Sequence, residues 1–98
     1  MDWLEPWDKS DETQLVDELS REMCIEHILW NLPLYIIGRR ADCDDVLFGL
    51  NDGSGRVAVV HLTYRRESSP QWPKVEMFSN ISDFASMRMK PDHEDFDI

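Results

Sequence analysis

The stretch Val57-Ala58-Val59-Val60-His61-Leu62-Thr63-Tyr64 does most to decide the fold. Its β-branched and aromatic residues favour a strand. Apolar side chains occur on both of its faces, which is typical of a strand in the middle of a sheet. Just before it, Asn51-Asp52-Gly53-Ser54-Gly55 supplies residues that tolerate the positive φ angles of a tight hairpin. The sequence therefore predicts a central strand that is entered through a hairpin.

Three shorter segments extend this strand into a sheet. Leu34–Gly38 and Val46–Leu50 have strand composition and flank an acidic turn, and Val75–Phe78 adds a short segment after a proline-containing loop. Because the connections between them are short, neighbouring strands are expected to pair antiparallel. We predict an antiparallel sheet of three to four strands.

A helix is predicted before the sheet, over residues 11–27. Leu15, Leu19 and Met23 recur every four residues and form an apolar stripe, with acidic residues on the other side. Ser10 and Asp11 are candidate N-caps. Pro33 prevents the helix from continuing into the first strand.

A second helix is predicted after the sheet, over residues 81–89, with Ser79 or Asn80 as its cap and Pro91 as its end. The fold class is α+β: an N-terminal helix, the sheet and a C-terminal helix, with both helices packed on one sheet face. We predict one domain over residues 1–98, with an N-terminal lead-in at 1–9 and a fraying acidic tail at 92–98.

The charge of the chain limits its function. Its 98 residues include 20 acidic and 10 basic ones, a net charge of -10. Such a chain would repel phosphates, so direct nucleic-acid binding is not expected. No apolar run reaches the ~18 residues of a membrane span, and the N-terminus lacks the pattern of a secretory signal. We predict a cytoplasmic protein with Cys24 and Cys43 as reduced thiols.

Metal and catalytic chemistry find little support. Cys24, His27, Cys43 and His61 are of ligand types that zinc accepts, but their spacing matches no compact zinc motif. The acidic turn after Asp42 lacks the glycine and glutamate of a calcium loop, and no nucleophile elbow or phosphate loop occurs. We predict no metal, no cofactor and no catalytic residues, and favour a protein that is not an enzyme.

The tryptophans and the acidic helices suggest a binding surface. Trp3, Trp7 and Trp72 lie in polar segments, and Trp is enriched at interaction hot spots, although in so small a domain some must be core. If both helices cover one sheet face, Asp17 and Glu18 belong to a shared acidic face. We predict a protein-interaction domain that binds a basic protein, such as an immunity or inhibitor protein acting on a nucleic-acid-handling enzyme.

Two alternatives stay open. A small-molecule or enzymatic site is one, and its candidate residues surround the hairpin and the loop after the central strand: Asp44, Asp45, His61, Thr63 and Trp72. A homodimer is the other, and a free edge along Leu34–Ile37 would form its seam. The chain is therefore expected to be a monomer or a homodimer.

Four strings of this sequence carry a resemblance to a known group of proteins: Asp42–Phe48, Val57–Tyr64, Trp72-Pro73 and Asp92-His93-Glu94. In these strings, in the order in which they occur and in overall length, the chain resembles small acidic bacterial proteins of uncharacterised function. The resemblance implies a bacterial, stand-alone cytosolic domain and brings no known activity with it.

Overall fold

The computed structural model describes residues 1–96, and the chain folds as an α+β protein with one five-stranded antiparallel sheet. The strands follow one another across the sheet in chain order: β1 (Trp7–Lys9), β2 (Leu34–Arg40), β3 (Asp45–Leu50), β4 (Val57–His61) and β5 (Val75–Phe78). Helix α1 (Gln14–Glu22) connects β1 to β2. The C-terminal helix α2 comprises Ile81–Phe84, a π-helical segment Ala85–Met89 and Lys90–Phe96.

The two helices cover opposite faces of the sheet, so the prediction that they share one face is wrong. Phe48 and Val60 pack with Leu19 of α1, in a core that lies on one side of the sheet. Leu47 and Phe84 belong to a second core on the α2 side. Strands β3 and β4 carry apolar side chains on both faces, and each face needs its own cover to keep water from it.

The sheet has five strands because the predicted lead-in contributes one. Trp7 of β1 pairs with Arg40 of β2, and its side chain is 1% exposed. The Trp7 ring meets the Phe84 ring edge to face, with centroids 5.0 Å apart. A strand of three residues is too short to show an alternating pattern, so no sequence pattern indicated β1.

Helix α1 is shorter than the predicted 11–27. Its N-cap is Thr13 rather than Ser10 or Asp11, and it ends at Glu22 because Met23 has an extended backbone, with ψ 141°. The apolar stripe itself is confirmed: Leu15, Leu19 and Met23 are all buried. Met23 lies just past the end of the helix and belongs to the same core as Leu15 and Leu19, so the apolar repeat is longer than the helix.

Helix α2 is longer than predicted and includes the first part of the predicted tail. Pro91 does not end it: this residue directly follows the π-helical segment, where the Lys90 amide bonds the Ala85 carbonyl and the regular α-helical hydrogen bonding that proline interrupts is already replaced. Asp92 is fixed by hydrogen bonds from Trp7 Nε1 and Arg88 Nε, each 2.8 Å. Asn80 is confirmed as the cap, since its side chain accepts from the Asp83 amide at 2.8 Å. Residues 97 and 98 of the predicted tail lie outside the described residues.

The hairpin and the strand order set the edges of the sheet. Gly53 and Gly55 have φ angles of 80° and 77°, as the hairpin prediction requires. β1 and β5 are the two edge strands of the sheet. β1 pairs with β2 only along Gly38–Arg40, so no strand lies beside the predicted edge Leu34–Ile37, and among residues 1–96 no strand lies beside the outer edge of β5. Over residues 1–96, no helix has the length and apolar character needed to cross a membrane.

Candidate functional site

The connection between α1 and β2 exposes an unusual amount of apolar surface. Ile25 and Ile28 are 71% and 65% exposed, and Trp30 and Leu32 are 40% and 37% exposed. Scattered exposed apolar residues are normal, but several large ones within one short loop are typical of an interaction site. We call the side chains of Ile25, Ile28, Trp30 and Leu32 the apolar loop surface.

Buried residues within the same loop hold this surface in place. His27 Nε2 donates to the Pro73 carbonyl at 2.8 Å, and its Nδ1 accepts from the Leu29 amide at 3.1 Å. Leu29 is fully buried in the core beneath α1. Asn31 takes a positive φ of 61°, a conformation that asparagine tolerates well. The exposed side chains therefore stand on a fixed backbone.

Open depressions border the apolar loop surface on two sides. One, of about 520 Å³, lies between the loop and the chain that follows β4, and Ile25, Trp30 and Arg66 are among its lining residues. Another, of about 180 Å³, lies between Ile28, Leu32 and the β5 residue Met77. Such concavities beside exposed apolar side chains can receive the side chains of a partner.

Acidic residues outnumber basic ones along α1 and the loop that follows it. Residues 11–33 include six acidic residues and one arginine, a net charge of -5. Within this segment Arg21 is paired with Glu18 at 2.6 Å, whereas Asp17 and Glu26 are exposed and make no described ion pair in residues 1–96. Asp17 lies three residues before Ser20, which lines a further depression with Trp30, so the carboxylate and the indole share one side of the molecule.

Glu22 is a fully buried carboxylate that ties α1 to the chain after β4. It accepts from the amides of Thr63 and Tyr64, at 2.8 and 2.9 Å, and from the Thr63 hydroxyl at 3.0 Å. Burial raises the pKa of Glu22, and the neighbouring Glu18 carboxyl raises it further. The same contact with Glu22 lowers the pKa of Glu18. The two carboxyls therefore hold a proton preferentially on Glu22.

This arrangement predicts a pH dependence of folding. Because the pKa of Glu22 lies above its ordinary 4.5, its stabilising contribution is complete below pH 4.5 and is lost as pH rises through the folded-state pKa. We expect the free energy of unfolding of the wild type, relative to Glu22→Gln, to decrease as pH rises above 4.5. Glu18 affects stability at lower pH. Because its pKa is lowered in the folded state, its contribution to the free energy of unfolding is lost as pH falls.

Urea denaturation at several pH values measures this difference. The matched control is Ser20→Ala, which changes an exposed α1 side chain without altering a titrating group and should follow the wild type. If the free energies of unfolding of the wild type and Glu22→Gln change with pH in parallel above pH 4.5, the prediction is contradicted.

The predicted partner-binding residues do not form one surface. Trp7 is buried in the α2-side core, so its predicted role in contacting a partner is wrong. Trp3 is half-buried and packs over Gly38. Trp72 is 37% exposed, with the Lys74 ammonium 5.4 Å from its ring centroid. Because α1 and α2 lie on opposite faces, Asp17 and Glu18 do not share an acidic face with the carboxylates of α2.

Of the predicted ligand-site residues, the structure brings two together. His61 Nδ1 donates to Asp45 Oδ1 at 2.7 Å, in a depression of about 260 Å³. Asp44, Thr63 and Trp72 are absent from the lining of that depression. Asp44 is exposed, and the Thr63 hydroxyl donates to Glu22 instead.

Arg88 of α2 completes this cluster, and sequence reasoning missed it. Its guanidinium donates to the carboxylates of Asp45, Glu76 and Asp92. Three acceptors from β3, β5 and α2 itself thus share one cation. The sequence signal was slight, because Arg88 and Asp92 have helical i,i+4 spacing but nothing in the sequence joins them to Asp45.

The four candidate zinc ligands are occupied in other ways or lie apart. Both ring nitrogens of His27 are engaged in hydrogen bonds, and the Nδ1 atom of His61 bonds Asp45. Cys24 and Cys43 are free, half-buried thiols. The described part of the chain contains no group of three or more His, Cys, Asp or Glu residues that could hold a metal ion.

The chain was compared with protein-family models, curated proteins and solved structures, and none of them matches it.

Proposed function

We propose that this chain is a small protein-interaction domain that binds a basic protein through the apolar loop surface and the carboxylates next to it. The observation that carries the proposal is the exposure of four large apolar side chains on a loop fixed by buried His27 and Leu29. Fully burying an exposed side chain of this kind contributes about 1.5–3 kcal/mol, and a partner gains the share that corresponds to the 37–71% still exposed here. A rigid loop also loses little conformational freedom on binding.

The charge around the loop selects the partner. The chain has a formal net charge of -10, which attracts basic surfaces and repels acidic ones. Residues 11–33 contribute -5 to this formal charge, and the buried Glu22 is included in that count. Asp17 and Glu26 are exposed beside the loop and available to a cationic side chain. Enzymes that handle nucleic acids present such basic surfaces, so an inhibitor of one of them fits this proposal. Cys24 and Cys43, both free thiols, suit a partner in the cytoplasm.

Two tryptophan variants test where the partner binds. We expect Trp30→Ala to weaken binding at least ~30-fold, the effect of losing a hot-spot residue, and Trp72→Ala to change it by less than ~2-fold. The pair is matched in exposure, because Trp30 and Trp72 are 40% and 37% exposed, and Trp72 is not among the lining residues of the two depressions that Trp30 borders. Proteins retained by the immobilised chain at low salt would be identified and purified, and their binding to each variant measured by calorimetry.

Three results would contradict the proposal. The first is that every retained protein is acidic. The second is that Trp30→Ala binds as tightly as the wild type. The third is that Trp72→Ala alone abolishes binding, which would move the partner surface to the loop before β5.

A second candidate function is the binding of a small polar ligand beside His61. The observation in its favour is the hydrogen bond between His61 and a buried carboxylate, Asp45, within an open depression that also exposes Lys74. Nuclear magnetic resonance of the His61 ring during titration with polar metabolites tests it. Unchanged ring signals throughout would exclude this role.

A further inference from the structure

The free edge of β5 presents backbone groups that have no backbone partner within residues 1–96. The His61 amide donates to the Lys74 carbonyl at 3.1 Å, and Val59 is the register partner of Glu76. In an antiparallel pair, hydrogen-bonded and non-hydrogen-bonded positions alternate. Lys74, Glu76 and Phe78 therefore direct their N–H and C=O groups toward β4, and those of Val75 and Met77 point outward.

Depressions lie on both faces of the sheet next to this edge. On the α1 face, Met77 lines an apolar one together with Ile28 and Leu32 of the apolar loop surface. On the α2 face, Glu76 lines the polar one, which also contains the carboxylate of Asp45, the ring of His61 and the cations of Lys74 and Arg88. An added strand alternates its side chains between the two faces, so its residues would meet an apolar and a polar environment in turn.

We infer that the partner adds an extended segment to β5, with an apolar–basic–apolar sequence opposite Val75, Glu76 and Met77. This inference rests on the proposed function, because it names the binding mode of the same basic partner. The two outer residues pack on the α1 face, beside the apolar loop surface. The central basic residue faces the Glu76 carboxylate, which is exposed and has Arg88 as its only described ion-pair partner in residues 1–96. Main-chain hydrogen bonds to Val75 and Met77 supply the remaining contacts.

Charge argues for a basic segment rather than a second copy of this chain. Self-pairing that joined Val75 of one copy to Met77 of the other would place the two Glu76 carboxylates directly opposite each other, which destabilises an antiparallel pair. Each copy would also bring a net charge of -10. A basic segment has neither difficulty.

A phage-displayed library of random short peptides, selected on the wild-type chain, tests the inference. We expect enriched peptides in which apolar and basic residues alternate. Met77→Pro removes an outward N–H without removing a hydrogen bond to β4, and should lower their affinity at least ~10-fold. Met77→Leu is the control, since it keeps the N–H and a similar volume, and should bind as the wild type does. Amide exchange at Val75 and Met77 should slow on peptide binding to the wild type, which tests the inference even where the proline variant does not fold.

The inference is overturned if no alternating peptide is enriched, if both Met77 variants bind equally, or if exchange at Val75 and Met77 does not slow. The inference is also overturned if the wild type sediments as a dimer and Met77→Pro sediments as a monomer. In that case β5 pairs with a second copy of this chain rather than with a basic segment. With the retained basic protein, binding that Trp30→Ala weakens and Met77→Pro leaves unchanged overturns the β5 mode alone. Binding that neither variant weakens overturns the proposed function as well.

Discussion

Replacing Trp7 with alanine is expected to lower the free energy of unfolding by about 3–5 kcal/mol, the range for deleting a buried aromatic side chain. The indole is 1% exposed, its ring packs on Phe84, and its Nε1 donates to Asp92 at 2.8 Å. The substitution leaves a cavity between β1 and α2 and removes a donor from a half-buried carboxylate. Urea denaturation followed by circular dichroism measures the loss.

Trp7→Phe is the matched control for this experiment. It keeps an aromatic ring against Phe84 and loses the hydrogen bond to Asp92, so we expect a smaller loss, of about 1–2 kcal/mol. A loss below about 1 kcal/mol for Trp7→Ala would mean that β1 is not held by the core as the structure shows. The result separates a structural tryptophan from the partner-binding one that the sequence suggested.

The second large effect is expected for Glu22→Ala, about 2–4 kcal/mol of unfolding free energy. The variant leaves the part-buried Thr63 and Tyr64 amides without their described acceptor. A fully buried unsatisfied donor costs about 1–3 kcal/mol, and the two part-buried donors together with the lost packing of Glu22 give the expected range. The variant also removes the buried contact between α1 and the chain after β4. The segment after β4 lines the same depression as Trp30 and contributes Arg66 to it. Loss of the contact with Glu22 should therefore also weaken binding of a basic partner.

Ser20→Ala controls for Glu22→Ala, because it changes an exposed residue of the same helix and should alter stability by less than about 0.5 kcal/mol. Denaturation of both variants at one pH gives the comparison. If Glu22→Ala is as stable as Ser20→Ala, the buried hydrogen bonds of Glu22 do not hold the two segments together.

The opposite placement of the helices changes what the negative charge can do. Had α1 and α2 shared one sheet face, their carboxylates would have formed a single acidic surface. Instead, on the α2 side Arg88 donates hydrogen bonds to the carboxylates of Asp45, Glu76 and Asp92. On the α1 side, Asp17 and Glu26 are exposed near the apolar loop surface. The α1 side therefore offers both free carboxylates and exposed apolar side chains to a partner.

Local patterns in the sequence were sufficient for the α+β class, the apolar stripe of α1, the Asn51–Gly55 hairpin and the cap at Asn80. Each of these depends on residues close together in the chain, whose spacing and conformational preferences act locally. The apolar residues on both faces of β4 also indicated that it is an interior strand rather than an edge strand, although β3 and not β4 is the central strand of the five. The Asp45–His61 pair was within reach as well, because the two residues flank one hairpin at matching distances.

Tertiary contacts alone decided which face of the sheet each helix covers, whether Trp7 is buried, and where the exposed apolar residues lie. Trp7 and Asp92 are 85 residues apart, and Glu22 and Thr63 are 41 apart, so no local pattern records either contact. A tryptophan in a polar segment has the same sequence signature whether its indole enters the core or faces a partner. The difference depends on the apolar area that the rest of the fold leaves uncovered, and that area exists only once the sheet and both helices have packed.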